Sequence, residues 1–358
     1  MKLWEALAAA IGLLMVGSAL WPRHIDKYVH SETFATASCR VPVTVRSSDP
    51  IPDGKPAAIV IHGLSANRKL MEPVAQSMVA AGLSAYSMDM PGHGDSDEPF
   101  SFARAEHCAA ELLEQLASRG ALDPAHTVLV GHSTGAGIVI RLADRFDAAA
   151  TIAISPAPLT PQPGPFADAT PFTLPHRLPA NLLVFIASLD PWPIRDSAKE
   201  WTARAGGTRD SDLDFAARRA LRLTDVRRAN HTSLLVDAGV ARESADWIQR
   251  ALHLERRAPD SRAQPFAFAI ALLGLFLLFP AAASLLIGRV QLDSAAPSTV
   301  APLPAPRRAY ALWAAASLLV VLILKLWIPL RPLRLFSGDY LASFLFLVAL
   351  IALAAVWK

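Results

Sequence analysis

Charged residues are scarce in this sequence. Asp, Glu, Lys and Arg make up only 18% of its 358 residues, whereas soluble domains carry about 25%. The shortage is greatest at the C-terminus, because residues 265–358 hold only nine charged residues and none of the ten histidines. Apolar residues reach 53%, and neither repeats nor low-complexity runs occur, which excludes collagen-like, coiled-coil and disordered proteins. We therefore predict that part of the chain lies in lipid.

Cysteines, metal-binding motifs and basic patches are scarce as well. Cys39 and Cys108 are the only cysteines, and they leave two interpretations open, one disulfide in an oxidising compartment or two buried thiols. No H-E-x-x-H or paired-histidine spacing occurs, so we predict no metal and no cofactor. The net charge is only +3, without a basic patch interleaved with aromatics, so nucleic acid is not a predicted partner.

Four apolar stretches approach the roughly 20 residues that a helix needs to cross a bilayer. We predict an N-terminal anchor at residues 1–22, for which a cleavable signal peptide is the alternative. We also predict a membrane domain at residues 265–358, with transmembrane helices at 265–288, 310–330 and 340–357. Tryptophan or tyrosine flanks three of the four stretches, as expected at membrane interfaces. The expected localisation is an integral protein of the cell membrane in contact with membrane lipid, and the side of the membrane is left open.

Residues 28–262 show the pattern of an α/β domain. Apolar, β-branched runs predict strands at 41–45, 57–61, 83–88, 127–130, 151–154, 182–187 and 221–226. Helical spacing of apolar residues predicts helices at 70–81, 102–117, 138–146 and 234–252. Continuous apolar strands alternating with helices indicate a mostly parallel sheet covered on both faces. Ligands of such folds bind beyond the carboxyl ends of the strands.

A nucleophile motif follows the predicted strand at 127–130. Gly131-His132-Ser133-Thr134-Gly135 is a G-x-S-x-G pattern in the strand–turn–helix context that this motif requires, which makes Ser133 the candidate nucleophile. A serine hydroxyl also needs a base and an orienting acid. Asp190 follows the strand at 182–187 and His231 follows the last strand, so the order is serine, acid, histidine. His253 also lies downstream, and we interpret it as a surface or packing residue.

Two backbone amides are candidate donors to the oxyanion. The predicted strand at 57–61 ends in His62-Gly63-Leu64, where the Leu64 amide would face the site. The Thr134 amide, directly after the serine, would be the second donor. We interpret His62 as a histidine that shapes the loop, and His93 as a hydrogen-bonding residue of the turn at 89–96.

These segments resemble the α/β-hydrolase superfamily and, within it, the branch of monoacylglycerol lipases and S33 serine aminopeptidases. The resemblance covers about residues 41–252 and rests on segments 60–63, 89–96, 131–135, 188–190 and 230–232. It implies an α/β-hydrolase fold, with the nucleophile, base, acid and oxyanion donors being Ser133, His231, Asp190, Leu64 and Thr134. Relatives insert a helical lid between the strands at 151–154 and 182–187. This chain has a short proline-rich run there instead, which predicts a small cap.

Together these patterns predict a membrane-anchored serine hydrolase that cleaves carboxylic esters through an acyl-enzyme. Small-molecule acyl esters or lipids are the expected substrates. Two alternatives stay open. The same triad could transfer the acyl group to another acceptor or cleave a peptide or amide, or the chain could be a membrane transport or scaffold protein whose hydrolase-like domain is not catalytic.

Overall fold

The computed structural model describes residues 3–20, 27–50, 56–159, 174–206, 214–255, 270, 273–278, 306–326 and 337–356. The chain forms two compact units. One comprises residues 1–24, 264–328 and 343–358, and the other comprises residues 25–263 and 329–342. The predicted limits of the hydrolase domain, 28–262, stay a prediction. Residue 262 is not among the described residues, and residue 28 lies close to the undescribed segment 21–26.

An eight-stranded sheet in the order β1-β2-β4-β3-β5-β6-β7-β8 organises the second unit. The strands are β1 Tyr28–Ala35, β2 Arg40–Ser47, β3 Ala57–Ile61, β4 Ser84–Met88, β5 Thr127–His132, β6 Ala150–Ile154, β7 Leu182–Ala187 and β8 Leu221–Val226. β2 pairs antiparallel with β1 and with β4, and all other neighbours are parallel. The predicted α/β fold with a mostly parallel sheet is therefore confirmed.

The central strands are rich in apolar residues because both of their faces are covered. Every residue of β3, β4, β5, β6 and β7 is buried, which is the reason their sequences show no polar alternation. β1 was not predicted, since it lies at the edge of the sheet and buries only Phe34. A strand that is exposed in this way lacks the apolar run by which the other strands were predicted.

Five helices cover the sheet: α2 Glu72–Ala80, α3 Phe102–Ser118, α4 Thr134–Arg141, α5 Trp192–Arg204 and α6 Ala238–Ala251. Side chains of α2 and α6 share one core cluster, and those of α3 and α4 share another. α4 begins earlier than predicted, directly after Ser133. α5 was missed because only two of the four residues on its buried face, Ala198 and Trp201, are apolar, which is too few for an apolar periodicity.

A disulfide joins Cys39, in the turn between β1 and β2, to Cys108 of α3. Of the two interpretations left open, the structure therefore has the bonded one. Glu98 lies beside the two sulfurs, but sulfurs joined to each other cannot serve as thiolate ligands for a metal. The bond ties the hairpin at the edge of the sheet to the helix that covers it.

Among the described residues, helices outside this sheet domain include α1 Leu3–Leu20, α7 Pro306–Leu326 and α8 Ser337–Val356. Crossing a bilayer requires about 20 consecutive apolar helical residues, and within the described ranges no helix combines that length with that apolarity. The predicted integral-membrane localisation is therefore wrong, and the described helices do not support the predicted transmembrane helices. Most of the stretch at 265–288 and of the predicted cap lies outside the described residues.

Candidate active site

Ser133 occupies a sharp turn between β5 and α4. Its backbone has φ 54° and ψ −116°, a conformation that residues other than glycine rarely adopt. The Ser133 amide donates to the Ile154 carbonyl at 2.9 Å, and the Ser133 carbonyl accepts from the amides of Gly137 at 3.1 Å and Ala157 at 2.9 Å. These bonds hold the strained turn, which presents the half-buried Ser133 side chain at the carboxyl end of β5.

The two glycines of the motif allow backbone segments to meet around Ser133. A Cβ atom on Gly131 would overlap the backbone of Gly135, and one on Gly135 would overlap the Ile61 carbonyl of β3. Both positions therefore exclude a side chain. This close approach brings the start of α4 against the end of β3, where the loop with the predicted oxyanion donor begins.

Asp190 and His231 form a hydrogen-bonded pair at the same edge of the sheet. Asp190 follows β7 and His231 follows β8, and these are adjacent parallel strands. His231 Nδ1 lies 2.8 Å from Asp190 Oδ1, and the Asp190 side chain is fully buried whereas 27% of the His231 side chain is exposed. Because an ionised carboxylate only accepts, Nδ1 carries the proton and Nε2 keeps its lone pair. A neutral imidazole in this tautomer can act as a base.

The surroundings of Asp190 keep its carboxyl group ionised. Burial acts to raise its pKa, but hydrogen bonds from His231, from the Ser155 hydroxyl and from the Ala187 amide outweigh this and lower the pKa below its usual value. The Ser155 hydroxyl donates to Asp190 Oδ2 at 2.6 Å, and the Ala187 amide donates to the same oxygen at 2.7 Å. The sequence analysis missed Ser155, whose only signal is its position directly after a buried strand.

His132 links the histidine loop to the serine turn. Its Nε2 lies 2.9 Å from the His231 carbonyl, to which it donates, and the two imidazole rings are 4.7 Å apart. Burial, aided by the neighbouring His231, lowers the pKa of His132 to about 4, so the ring is neutral at pH 7. The structure thus places His231, and with it the bonded Asp190, against the residue that precedes Ser133.

The loop after β3 approaches the serine turn from the other side. A Cβ atom on Gly63 would lie 2.9 Å from Ser133 Cβ, so the loop backbone passes directly beside the serine. None of the described residues accepts a hydrogen bond from the amide of Leu64 or of Thr134. Both amides are therefore available to a ligand, as donors to an oxyanion must be.

Two buried histidines fix this loop. His62 Nδ1 donates to the Gly63 carbonyl at 2.8 Å, and its Nε2 accepts from the Met90 amide at 3.0 Å. His93 Nδ1 donates to the Pro91 carbonyl at 2.9 Å, and its Nε2 accepts from the Ser65 amide at 3.3 Å. In each ring both nitrogens are hydrogen-bonded to loop backbone, so neither histidine is available as a base.

A buried ion pair, also missed by the sequence analysis, joins the same loop to the turn after β4. The Arg68 guanidinium contacts the Asp89 carboxylate, and the Arg68 amide donates to Asp89 Oδ1 at 2.8 Å. Arg68 also reaches Asp95 at 2.6 Å. The pair is expected to hold the loop after β3 in place, because separating one partner of a buried ion pair is strongly unfavourable.

Burial of three neutral histidines makes acid destabilisation an expected property of this fold. Burial lowers the pKa of His62 to about 3, lowers that of His132 to about 4, and lowers that of His93 as well. In the unfolded chain these groups titrate near pH 6.5, so below that pH the unfolded state binds more protons and stability falls. His62 and His132 each contribute about 1.4 kcal/mol per pH unit, and His93 acts in the same direction. Asp89, whose pKa burial raises, works in the opposite direction.

Urea unfolding at pH 7 and pH 5 measures this dependence. We expect a clear loss of unfolding free energy at pH 5, reversed on return to pH 7. Equal stability at the two pH values would contradict the neutral, buried state of these rings.

The sheet order and this site define an α/β-hydrolase. A family model described as serine aminopeptidase, S33, matches residues 53–253, which is more than half of the chain. The chain therefore belongs to the serine aminopeptidase S33 family of hydrolases, and the predicted superfamily is confirmed.

Several solved structures are similar to this chain. A hyperthermophilic esterase from the archaeon Pyrobaculum calidifontis is 17% identical with a TM-score of 0.48, and the match covers 70% of this chain and 92% of that one. An esterase from Mycobacterium marinum is 18% identical with a TM-score of 0.46, with coverages of 70% and 86%. A predicted hydrolase from Thermoplasma acidophilum is 20% identical with a TM-score of 0.45, with coverages of 62% and 98%. At these values the similarity says nothing about substrate.

Proposed function

We propose that this chain is a serine hydrolase that cleaves carboxylic esters with hydrophobic acyl groups, with Ser133, His231 and Asp190 as nucleophile, base and acid. The observation that carries the proposal is the 2.8 Å hydrogen bond between His231 and the buried Asp190. It orients the imidazole with its basic nitrogen unprotonated, and the His231 backbone is tied to the residue before Ser133. A buried acid, an oriented base and a nucleophile on a strained turn are the parts of a hydrolytic triad.

The proposed reaction begins when His231 Nε2 takes the proton of Ser133 Oγ as this oxygen attacks the ester carbonyl carbon. The carbonyl oxygen becomes an oxyanion, which receives hydrogen bonds from the amides of Leu64 and Thr134. His231 then passes its proton to the departing alcohol oxygen, leaving an acyl-serine ester. Water, deprotonated by His231, then attacks the acyl carbon, and His231 returns the proton to Ser133 Oγ as the acyl–oxygen bond breaks and the carboxylic acid leaves. Asp190 stabilises the imidazolium in both steps.

Exposed apolar side chains at the carboxyl edge of the sheet support a hydrophobic acyl substrate. Leu189 is 68% exposed and Trp192 is 52% exposed, on either side of Asp190. Leu70, in the loop after β3, is 48% exposed. Burying an apolar side chain against an acyl chain is favourable by about 25 cal/mol per Å² of area removed from water. A small-molecule acyl ester or a lipid fits this rim.

Peptide or amide cleavage is the second candidate, favoured by the description of the family as serine aminopeptidases. Acyl transfer to an alcohol or amine would use the same triad. Nitrophenyl esters of increasing acyl length, the matching anilides and an added alcohol acceptor distinguish the three reactions. We expect ester hydrolysis, and faster cleavage of the longer acyl chains.

Labelling with a fluorophosphonate probe tests the serine assignment. We expect the purified protein to be labelled on the peptide that contains Ser133, and Ser133→Ala to remain unlabelled. Ser118→Ala is the matched control and should be labelled normally, because the Ser118 hydroxyl bonds only the Gln115 carbonyl of its own helix. Labelling that persists in Ser133→Ala would refute Ser133 as nucleophile. A folded wild type that neither reacts with the probe nor cleaves any ester or anilide would favour a non-catalytic domain.

A further inference from the structure

Ser155 lies at the end of β6 in a backbone conformation that serine disfavours. Its φ is 44°, and the following Pro156 favours extended backbone at this position. The residue is completely buried, and its amide donates to the Phe185 carbonyl of β7 at 2.7 Å. A glycine would adopt this conformation at no steric cost. Backbone geometry therefore does not explain the serine, and its side-chain hydroxyl must be considered.

The Ser155 hydroxyl contacts the predicted acid. Asp190 Oδ2 accepts two hydrogen bonds, one from Ser155 Oγ at 2.6 Å and one from the Ala187 amide at 2.7 Å. Asp190 Oδ1 accepts from His231. The two oxygens therefore have separate partners on different strands, and rotation of the carboxylate about its Cβ–Cγ bond would break all three bonds.

We propose that Ser155 is a positioning residue of the hydrolytic reaction, whose hydroxyl holds the Asp190 carboxylate with Oδ1 directed at His231. The inference rests on the proposed roles of Asp190 and His231. Without the hydroxyl, Oδ2 keeps a single donor in a buried site, and the carboxylate gains freedom to turn. The orientation of the imidazole, and with it the proton transfer from Ser133, then becomes less well defined.

Ser155→Gly tests the proposal, because it removes the hydroxyl while relieving the positive φ. We expect Ser155→Gly to fold with a higher thermal midpoint than Ser155→Ala, which keeps the strain. Both variants should nevertheless lose about 10- to 100-fold in kcat for ester hydrolysis, the range expected for a hydrogen bond to a charged group. KM should stay near the wild-type value because Ser155 is buried behind the acid. A Ser155→Gly enzyme with wild-type kcat would overturn the inference.

A double-mutant cycle separates positioning from general structural support. In an Asp190→Asn background, Ser155→Gly should cost less than about twofold in the rate of fluorophosphonate labelling, because the two residues act through one interaction. An equal cost in both backgrounds would overturn the inference. Different results would refute the proposed function itself. These are labelling of Ser133→Ala by the fluorophosphonate probe, or wild-type turnover by Asp190→Asn alone.

Discussion

Asp190→Asn is expected to lower kcat by about 10⁴-fold, the loss typical of a triad whose histidine is held in the wrong tautomer. The structure explains why the tautomer would change. The Ser155 hydroxyl and the Ala187 amide both donate to the Oδ2 position, so the oxygen of the new amide takes that place. Its NH₂ group then faces His231 Nδ1 and donates a hydrogen bond to it. The imidazole proton therefore moves to Nε2, and Nε2 can no longer accept the proton of Ser133.

Steady-state kinetics on a hydrophobic ester measure this effect, and urea unfolding shows that the variant is folded. Asp225→Asn is the matched control. Asp225 lies near the end of the neighbouring strand β8, and its exposed carboxylate forms an ion pair with Lys199. It should change kcat less than about twofold, as expected for an exposed ion pair. An Asp190→Asn enzyme within tenfold of wild type would rule out Asp190 as the acid.

Gly135→Ala is expected to destabilise the fold by about 3–5 kcal/mol, at the upper end of what single substitutions do. Its Cβ would overlap the backbone carbonyl of Ile61 and press on that of His62. Backbone of a central strand cannot move aside without breaking the sheet ladder, so α4 would have to shift away from β3. Urea unfolding at neutral pH measures the loss, and little soluble protein is expected.

Gly137→Ala is the control for this substitution, two residues further along the same helix. A Cβ there would meet the end of the Arg141 side chain at 3.2 Å and Leu159 at 3.7 Å, and a long side chain can turn away. Alanine also favours helix over glycine by about 1 kcal/mol. We expect unchanged or slightly higher stability, and a loss as large as that of Gly135→Ala would contradict the close-approach explanation.

All strands except β1 were predictable from the sequence, and the central ones stand out because they are buried on both faces and therefore rich in apolar residues. The positions of Ser133, Asp190 and His231 followed from the same pattern, since Ser133 directly follows β5, Asp190 lies three residues after β7 and His231 lies five residues after β8. Their roles, like those of Leu64 and Thr134, stay predictions until the variants are measured. The membrane localisation was wrong because apolar composition does not establish a helix able to cross a bilayer.

Contacts between residues of different strands could not be predicted from the sequence. Ser155 reaches Asp190 only because β6 lies beside β7, and the order of strands in a sheet leaves no periodic signal in the chain. Arg68 and Asp89 look like two ordinary solvated charges in the sequence, yet they are 21 positions apart and buried together. Local patterns report which segments are buried, whereas partners distant in sequence emerge only when the chain is folded.

The tethered hairpin at the edge of the sheet bears on how this protein avoids self-association. An edge strand such as β1 presents unpaired amides and carbonyls, to which an extended segment of another chain can add. β1 shows His30 and Glu32 to solvent, and its turn is held on α3 by the disulfide and by hydrogen bonds from Thr36 and Ser38 to Glu111. The hairpin therefore cannot swing out and exchange with a second copy while the bond persists. Under reducing conditions the hydrogen bonds between the turn and α3 and the pairing of β2 with β4 would remain, so the tendency of the hairpin to exchange would depend on the redox state of the surroundings.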